Sequence, residues 1–411
     1  MSPSLSADAL YHTASHNHAA SAHFSVHMEP PSRIAVFFHP LMLDHDTGSG
    51  FFELEASPLL EVVAKHPENA DRLRNIVSVL KKGPLAASLD WEQPREATLE
   101  DMRHVHSAAH LAMLQEASMT GKRFGVSTVL PQGGWRGISF ACGAACGAMD
   151  AVLAGTARVA YACVRPPGHH AGPDAVDGYC FVNNTACAAA RAAKAGERVC
   201  VIDVDVHHGN GTQAAFYNRS DVLTCSMHQH MGAWSEGTSH PETGDVNEVG
   251  AGEGVGFNVN VPLELGSGDA AHLEAFEALI VPEVSAFDPS VLIVALGVDG
   301  SQFDPNGRQA LTMSGYFNMG RAILQLATKH TGGRIVVVQE GGYELSYAAF
   351  CVHAFLEGVR GQTVMELADP EGGTYPDPPL RDPQSWRIAA LVAKLIVERQ
   401  SAIAAARDSN K

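Results

Sequence analysis

The stretch ERVCVIDVDVHHGNGTQ, residues 197–213, reads as a buried strand whose end carries charged and polar side chains. Residues 199–206 are rich in β-branched side chains, and such a run is typical of a parallel strand covered on both faces. Asp203 and Asp205 nevertheless lie inside the run, and two histidines follow at once. Because a buried carboxylate without a partner is costly, a compensating charge is expected here. A metal ion is the first candidate.

The composition limits the classes of protein to which the chain can belong. With 411 residues, 45% of them hydrophobic, it can form one large α/β domain or two smaller ones. A formal net charge of −17 argues against direct binding to nucleic acid or to an anionic membrane, since both require a basic face. No apolar run reaches the roughly 18 to 20 residues that span a bilayer. The N-terminus also lacks the features of a secretory signal.

The eight cysteines show no CxxC pair and lie largely in apolar runs of small residues. We interpret them as reduced core residues of a cytoplasmic protein rather than as a disulfide framework. Residues 1–32 are rich in Ser, Ala and His and predict a flexible N-terminal arm, although its histidines offer an alternative metal-binding function.

Apolar strand patterns alternate with helical patterns along the rest of the chain. The predicted strands cover residues 159–165, 198–206, 221–227, 291–298 and 334–340. The predicted helices cover residues 137–154, 183–195, 269–286 and 314–330, and a terminal helix covers about 385–406 after a loop at 367–383. This alternation predicts crossover units and a mainly parallel sheet covered on both faces.

Polar clusters follow four of the predicted strands. They are RPPGHH (165–170), DVDVHHGNG (203–211), GVDG (297–300) and EGGY (340–343). Since catalytic groups of open α/β sheets collect at the carboxyl ends of the strands, we expect these four clusters to form one site.

Asp205 and His207 are two residues apart on the predicted strand, so their side chains are expected to leave from the same face. Asp299 is the natural third ligand. One imidazole and two carboxylates suit zinc, and also iron(II) or cobalt. Three protein ligands leave positions open for water and substrate, which is the catalytic arrangement. Alternatively, any one of these aspartates could cap the helix that follows it.

His169 and His170 follow two prolines and a glycine, which predicts a rigid loop that fixes both rings. Asp203 and Asn210 are positioned in the sequence to accept a ring N–H from one histidine each. A carboxylate partner favours imidazolium, whereas an amide partner leaves its ring available as a neutral base.

Tyr343 follows two glycines that allow a tight turn toward the site. A phenol O–H aimed at a metal-bound carbonyl would stabilise a developing oxyanion. Taken alone, such a tyrosine is more often a packing residue, but its position at a strand end beside the other clusters favours the catalytic role.

Five motifs together resemble the zinc-dependent histone deacetylase and acetylpolyamine amidohydrolase superfamily, and most closely its bacterial members similar to class II deacetylases. They are RPPGHHAG, DGYCFVNNTACAA, VIDVDVHHGNGTQ, LGVDG and QEGGY. The likeness extends from about residue 34 to residue 361. It implies a three-layer α/β/α fold around an eight-stranded parallel sheet, with residues 33–411 forming a single catalytic domain with a C-terminal helix.

The resemblance also implies roles for the residues that match the family motifs. Asp205, His207 and Asp299 would hold one Zn²⁺ per subunit. His170 would be the general base toward a zinc-activated water, with His169 as its electrostatic partner and proton donor. Tyr343 would polarise the substrate carbonyl.

Further positions are implied by the same resemblance. Asp203 and Ser226 would contribute to a structural K⁺ site, and Asn210 follows the class II and polyamine-type pattern. Gly178 and Tyr179 would line an acyl tunnel. Trp234 is the large apolar group of the opposite wall.

The implied substrate is an N-acyl amine, and acetyl-lysine, acetylpolyamine and a xenobiotic amide are all compatible. An arginase-type ureohydrolase shares the fold, but it prefers two manganese ions, and only one full ligand set is visible here. A catalytically silent acyl-lysine binding or scaffold protein is a further alternative. The segment 33–65 resembles an early loop of bacterial relatives and implies a homo-oligomer, either a dimer or a tetramer.

Overall fold

The structure is a computed structural model. It describes residues 31, 33–50, 57–125, 127–230, 241–372 and 382–409. Trp234 and, apart from Pro31, the predicted N-terminal arm (1–32) therefore lie outside the described residues.

Within the described part of the chain, eight strands form one sheet in which every neighbouring pair is parallel. These strands are β1 (Ile34–Phe37), β4 (Leu89–Glu92), β7 (Val159–Ala162), β8 (Val199–Asp203), β9 (Val222–Gln229), β10 (Asn258–Leu263), β11 (Val291–Leu296) and β12 (Ile335–Gln339). Their order across the sheet is β10-β9-β8-β11-β12-β7-β1-β4. Two small antiparallel ribbons pair β2 (Ser49–Gly50) with β3 (Ala64–Lys65) and β5 (Lys122–Phe124) with β6 (Thr128–Leu130). The predicted parallel sheet is confirmed.

The five predicted strands are present, whereas β1, β4 and β10 were not among them. β4 and β10 are the two edges of the sheet. Polar residues interrupt their apolar patterns, LDWE and NVNVPL. Pro262 is tolerated in β10 because an edge strand can lack one backbone donor.

The helices cover both faces of this sheet. They are α1 (Ala70–Lys82), α2 (Leu99–Arg103), α3 (Ala108–Thr120), α4 (Trp135–Leu153), α5 (Asn184–Lys194), α6 (Asn210–Phe216), α7 (Asp269–Ala275), α8 (Val281–Phe287), α9 (Met313–His330), α10 (Tyr347–Val359) and α11 (Asp382–Ser409). The predicted helix 269–286 is present, with a π-helical turn, Phe276–Ile280, between α7 and α8. Pro282 in the first turn of α8 has no N–H to donate, which favours this local change of hydrogen bonding.

The predicted extent of the strand at 198–206 is also wrong, because β8 ends at Asp203. The Oδ1 atom of Asp203 accepts a hydrogen bond from the backbone N–H of Asp205 at 3.0 Å. Such a local side-chain bond replaces the strand ladder and turns the chain. Asp205 and His207 therefore lie in the loop after the strand, and strand alternation does not explain their orientation.

Residues of β8 alternate between two apolar cores. Cys200 and Ile202 pack on one side of the sheet, and Val199 and Val201 pack on the other. Helices α1, α9 and α10 cover the first side, while α4 and α5 cover the second. The fold is thus the predicted three-layer α/β/α sandwich.

Two further observations concern the whole described chain. All eight cysteines lie among the described residues, and each is buried and outside any disulfide. In the same part of the chain, no helix combines the length and the hydropathy that crossing a bilayer requires.

Candidate active site

The four polar clusters lie at the carboxyl ends of β7, β8, β11 and β12. These strands are the four adjacent central strands of the sheet. Because the strands are all parallel, their carboxyl ends lie on the same side of the sheet, at the ends of adjacent strands. This brings the four clusters together.

Asp205, His207 and Asp299 each offer one ligand atom, and these atoms lie within 4.8 Å of one another. The Nδ1 atom of His207 is 3.2 Å from Asp205 Oδ1 and 3.1 Å from Asp299 Oδ2. Ligand atoms around a tetrahedral zinc ion, with bonds of about 2.0 to 2.2 Å, are separated by roughly 3.4 Å. The structure brings the three predicted ligands together, and the donor set fits zinc.

Backbone groups fix the second oxygen of each carboxylate. The N–H of Val206 donates to Asp299 Oδ1 at 3.0 Å, and the N–H of Gly341 donates to Asp205 Oδ2 at 2.9 Å. A Cβ at position 341 would lie 2.3 Å from Asp299 Oδ2 and 2.6 Å from Asp205 Oδ2. Only glycine lets the backbone approach the ligand pair this closely.

The negative charge of Asp205 destabilises the ionised form of Asp299 in this buried setting. Burial, and then the negative charge of Asp205, raise the pKa of Asp299 to about 6. Both side chains are at most 1% exposed. A bound cation would offset the repulsion between the Asp205 and Asp299 carboxylates. The three ligand atoms are of the kind that bind such a cation.

The two histidines have different partners. His169 Nδ1 lies 2.9 Å from Asp203 Oδ2, whereas His170 Nδ1 lies 2.7 Å from Asn210 Oδ1. The ring centroids are 4.0 Å apart. The partners expected from the sequence therefore lie within hydrogen-bond distance of the two rings.

The charges around His169 stabilise its protonated form. Burial opposes protonation, but the carboxylates of Asp205 and Asp203 outweigh it and raise the pKa of His169 well above its usual value. His169 therefore favours the imidazolium form. The neutral amide of Asn210 exerts no comparable charge on His170.

Tyr343 is held in place through its backbone N–H. Its N–H donates to Asp304 Oδ2 at 2.6 Å, and the preceding residue, Gly342, has a φ of 119° that favours glycine. The phenol ring contacts the ring of Tyr179 edge to face, with 5.6 Å between centroids. The turn thus places the Tyr343 ring against the ring of Tyr179.

Gly178 packs directly against His170. A Cβ at position 178 would lie 2.2 Å from Cδ2 of the His170 ring. Tyr179, with a φ of 68°, places its ring next to Tyr343 and its hydroxyl 3.3 Å from Asn306 Nδ2. Both predicted tunnel residues therefore lie beside the predicted catalytic residues.

Asp203 and Ser226 are partners in the register of β8 and β9. The Ser226 hydroxyl also lies 2.9 Å from Nδ1 of His228. The two predicted potassium-site residues are thus neighbours across two strands.

The model of the family described as the histone deacetylase domain matches residues 66–359. The chain belongs to this family. The resemblance drawn from the sequence motifs is therefore confirmed.

Relatives from plants and bacteria agree with this assignment. Histone deacetylase 8 of Arabidopsis thaliana is 44% identical over 344 residues, which cover 82% of this chain and 91% of the relative. A histone deacetylase-like amidohydrolase of Pseudomonas aeruginosa is 37% identical over 370 residues, covering 88% and 96%. The crystal structure of an acetylpolyamine aminohydrolase from Burkholderia pseudomallei superposes with a TM-score of 0.68 at 29% identity, covering 79% of this chain and 98% of that one.

A buried ion-pair network around Glu68 was not predicted from the sequence. Arg165 Nε donates to Glu68 Oε1 at 2.7 Å, and a terminal nitrogen of Arg72 donates to the same oxygen at 3.1 Å. Arg72 also donates to the carbonyl oxygens of Glu340 at 2.7 Å and Gly342 at 2.5 Å. The i, i+4 spacing of Glu68 and Arg72 in HPENADR was the available signal.

Glu340 was also missed as a positioning group. Its Oε2 accepts the backbone N–H groups of Gly168 at 2.6 Å and His169 at 3.1 Å. Its Oε1 accepts the hydroxyl of Thr185 at 2.8 Å. A glutamate directly after the apolar run IVVVQ was the signal, because such a carboxylate requires several donors. It fixes the loop that carries both histidines.

Proposed function

We propose that this chain is a zinc-dependent amidohydrolase that cleaves the amide bond of N-acyl amines. The observation that carries the proposal is the close approach of Asp205, His207 and Asp299 beside two histidines with unlike partners. The relatives support hydrolysis of amides, since their names are deacetylase, amidohydrolase and acetylpolyamine aminohydrolase. Acetyl-lysine, acetylpolyamines and small xenobiotic amides are the substrate classes to be compared.

Asp205, His207 and Asp299 would hold the metal ion through the atoms that face one another. When bound, zinc supplies a Lewis acid and lowers the pKa of a water ligand to about 7. Iron(II) and cobalt suit the same ligands, so the identity of the metal is a separate measurement.

His170 takes a proton from the attacking water at Nε2. Its Nδ1 is occupied by Asn210, which leaves Nε2 as the basic atom of the neutral ring. His169, whose Nδ1 is hydrogen-bonded to the Asp203 carboxylate, donates a proton to the amine nitrogen as the C–N bond breaks. The general acid and the general base are thereby distinguished by their partners.

Tyr343 donates its phenol hydrogen to the substrate carbonyl oxygen. Burial raises the pKa of this tyrosine well above its usual value, so its proton is retained at neutral pH. Preorganised donors of this kind stabilise charge that develops on the oxygen. Gly178, Tyr179 and Trp234 are proposed to line the acyl tunnel.

We also propose a structural K⁺ beside Asp203 and Ser226, a cytoplasmic location and a homodimeric or homotetrameric assembly. The pairing of Asp203 with Ser226 in adjacent strands supports the potassium site. The proposed single domain, 33–411, is supported by Arg399 of the terminal helix. This residue donates to Glu283 Oε1 at 3.0 Å and to the carbonyl oxygen of Gly256 at 3.0 Å.

The decisive experiment is a panel of acetyl-lysine peptides, acetylpolyamines and acetanilides, assayed before and after chelation. We expect chelation to abolish hydrolysis and Zn²⁺ to restore it. His170→Ala and Asp299→Ala should lower turnover by at least about 100-fold. Asp90→Ala is the control, because the side chain of Asp90 is 47% exposed and lies on the edge strand β4. Unchanged hydrolysis after chelation, or in both active-site variants, would overturn the proposal.

Adding guanidino substrates and Mn²⁺ to this panel separates the alternatives. An arginase-type enzyme would release urea from guanidino substrates after addition of manganese. It would require ligands for a second metal ion, and among the described residues Asp205, His207 and Asp299 are the one group of three or more His, Cys, Asp or Glu side chains close enough to share an ion. A silent binding protein would retain acyl-lysine without turnover.

A further inference from the structure

The side-chain amide of Asn210 bridges two groups from different segments. Its Oδ1 lies 2.7 Å from His170 Nδ1, and its Nδ2 donates to Asp177 Oδ2 at 2.9 Å. The bridge thus extends from the ring of His170 to a carboxylate outside the metal triad.

The carboxylate determines which way the amide points. Ionised aspartate only accepts hydrogen bonds, whereas the two ends of an asparagine amide differ, one being a donor and one an acceptor. The NH₂ end of Asn210 must therefore face Asp177, and the oxygen must face His170. An amide oxygen cannot donate, so the hydrogen of the neutral His170 ring must sit on Nδ1.

Asp177 is itself held in place by a tight backbone turn. Its N–H donates to the carbonyl oxygen of Cys180 at 3.2 Å, and the N–H of Cys180 donates back at 2.7 Å. The next residue, Gly178, packs on the His170 ring. One turn therefore presents both the carboxylate and the surface on which the ring lies.

We propose that Asp177 is a positioning residue that fixes the tautomer of His170 through Asn210. The inference rests on the proposed function, in which His170 acts at Nε2. It differs from the arrangement at His169, where Asp203 bonds the ring directly. At His170 the amide transmits orientation without placing a full negative charge against the ring.

The first test measures the tautomer without using activity. The full-length, zinc-loaded protein is labelled with ¹⁵N-histidine, and the signals of His170 are identified by their loss in His170→Gln. We expect a single Nδ1–H tautomer in the wild type and a mixture of tautomers in Asp177→Ala. An unchanged His170 spectrum in Asp177→Ala would overturn the proposal.

The second test is kinetic. Asp177→Ala should lower kcat by about tenfold, as loss of a supporting partner does at metal sites. KM should change by less than about twofold, because the base acts in the transition state. Asp174→Ala is the matched control, since Asp174 lies in the same loop but bonds the Ser107 hydroxyl. Equal kcat values for the wild type and Asp177→Ala would contradict the role.

A double-mutant cycle tests the bridge itself. Asn210→Asp would place two carboxylates against each other and should lower kcat by at least about tenfold. Asp177→Asn should raise the activity of that variant, because the new amide donates to the aspartate at position 210. In the wild-type background the same change should not raise activity. Independent effects of the two substitutions would overturn the coupling.

The two proposals can fail separately. A wild-type protein that hydrolyses none of the acyl amines but loses its single His170 tautomer in Asp177→Ala refutes the function and supports the bridge. An active wild type whose kcat and His170 spectrum are both insensitive to Asp177→Ala refutes the bridge and leaves the function intact.

Discussion

The guanidinium carbon of Arg72 lies 4.5 Å from the centroid of the Tyr343 ring. The same guanidinium donates to the carbonyl oxygen of Gly342, which is 270 residues away in the chain. One buried cation therefore contacts both the ring and the turn that presents it. Its charge is compensated by Glu68, so the arrangement links helix α1 to the active site.

Replacing Arg72 by methionine should lower both stability and turnover. Glu68 would still be paired with Arg165, but the carbonyl oxygens of Glu340 and Gly342 would each lose a buried donor, which costs about 3 kcal/mol in the free energy of unfolding. Loss of the contacts to the turn should displace Tyr343 and lower kcat by roughly 10- to 100-fold. Urea denaturation and steady-state kinetics on the folded protein check the two effects.

Arg74→Met is the matched control, two residues along the same helix. Its guanidinium pairs with Asp71 at 2.7 Å, but its side chain is 55% exposed. The expected loss of stability is below about 0.5 kcal/mol, without a change in kcat. If Arg72→Met destabilises the fold but retains the wild-type kcat, Arg72 does not position Tyr343.

Tyr343→Phe should lower kcat by about 100-fold with little change in KM, because the missing hydroxyl acts on charge that develops in the transition state. Tyr347→Phe is the comparison, since its hydroxyl accepts the backbone N–H of Met313 at 3.0 Å. That change should reduce the free energy of unfolding by about 1 kcal/mol and leave kcat unaffected. Equal kcat values for the two variants would refute the role of Tyr343.

Gly178→Ala should impair catalysis through His170. The added methyl group would lie 2.2 Å from the ring, and the φ of residue 178 is +48°. We expect kcat to fall by at least about tenfold as the ring is displaced. Gly155→Ala tests backbone strain alone, because its φ is +72° and nothing lies within 4 Å of its new Cβ. It should cost about 1 kcal/mol of stability and retain full activity.

Stability should fall in acid, and His272 should contribute to the loss. Burial lowers the pKa of His272 from 6.5 to about 4, despite its bond to the carbonyl of Gly268. The folded state thus holds this ring neutral, while the unfolded chain takes up a proton. Its stabilising contribution is present above pH 6.5 and is lost as the pH falls toward 4.

The largest loss from this histidine is about 3 kcal/mol. His272→Gln should therefore show a smaller decrease in unfolding free energy between neutral pH and about pH 4.5 than the wild type. Urea denaturation of metal-stripped protein measures this difference without a contribution from metal release. Identical pH dependences would show that His272 does not titrate with unfolding.

Much of the fold was predictable because burial leaves a local pattern. The apolar runs that became β7, β8, β9, β11 and β12 alternate with helical segments, and parallel strands covered on both faces need such runs. The edges β4 and β10 carry a mixture of polar and apolar residues. Their identity as strands depends on neighbours supplied by distant segments, so their own sequence is less informative.

The candidate site likewise combines residues that the sequence predicted with contacts that it did not. Asp205, His207, Asp299, His169, His170 and Tyr343 were predicted from polar clusters at the carboxyl ends of predicted strands, because parallel topology brings those ends together. The end of β8 at Asp203, the contact of Arg72 with Tyr343 and the bridge from Asp177 to His170 required the tertiary structure. These features join residues from separate segments, and their hydrogen bonds exist only once packing has set the distances. The sequence alone determined which chemical groups reach the edge of the sheet, and the folded structure decided which group orients which.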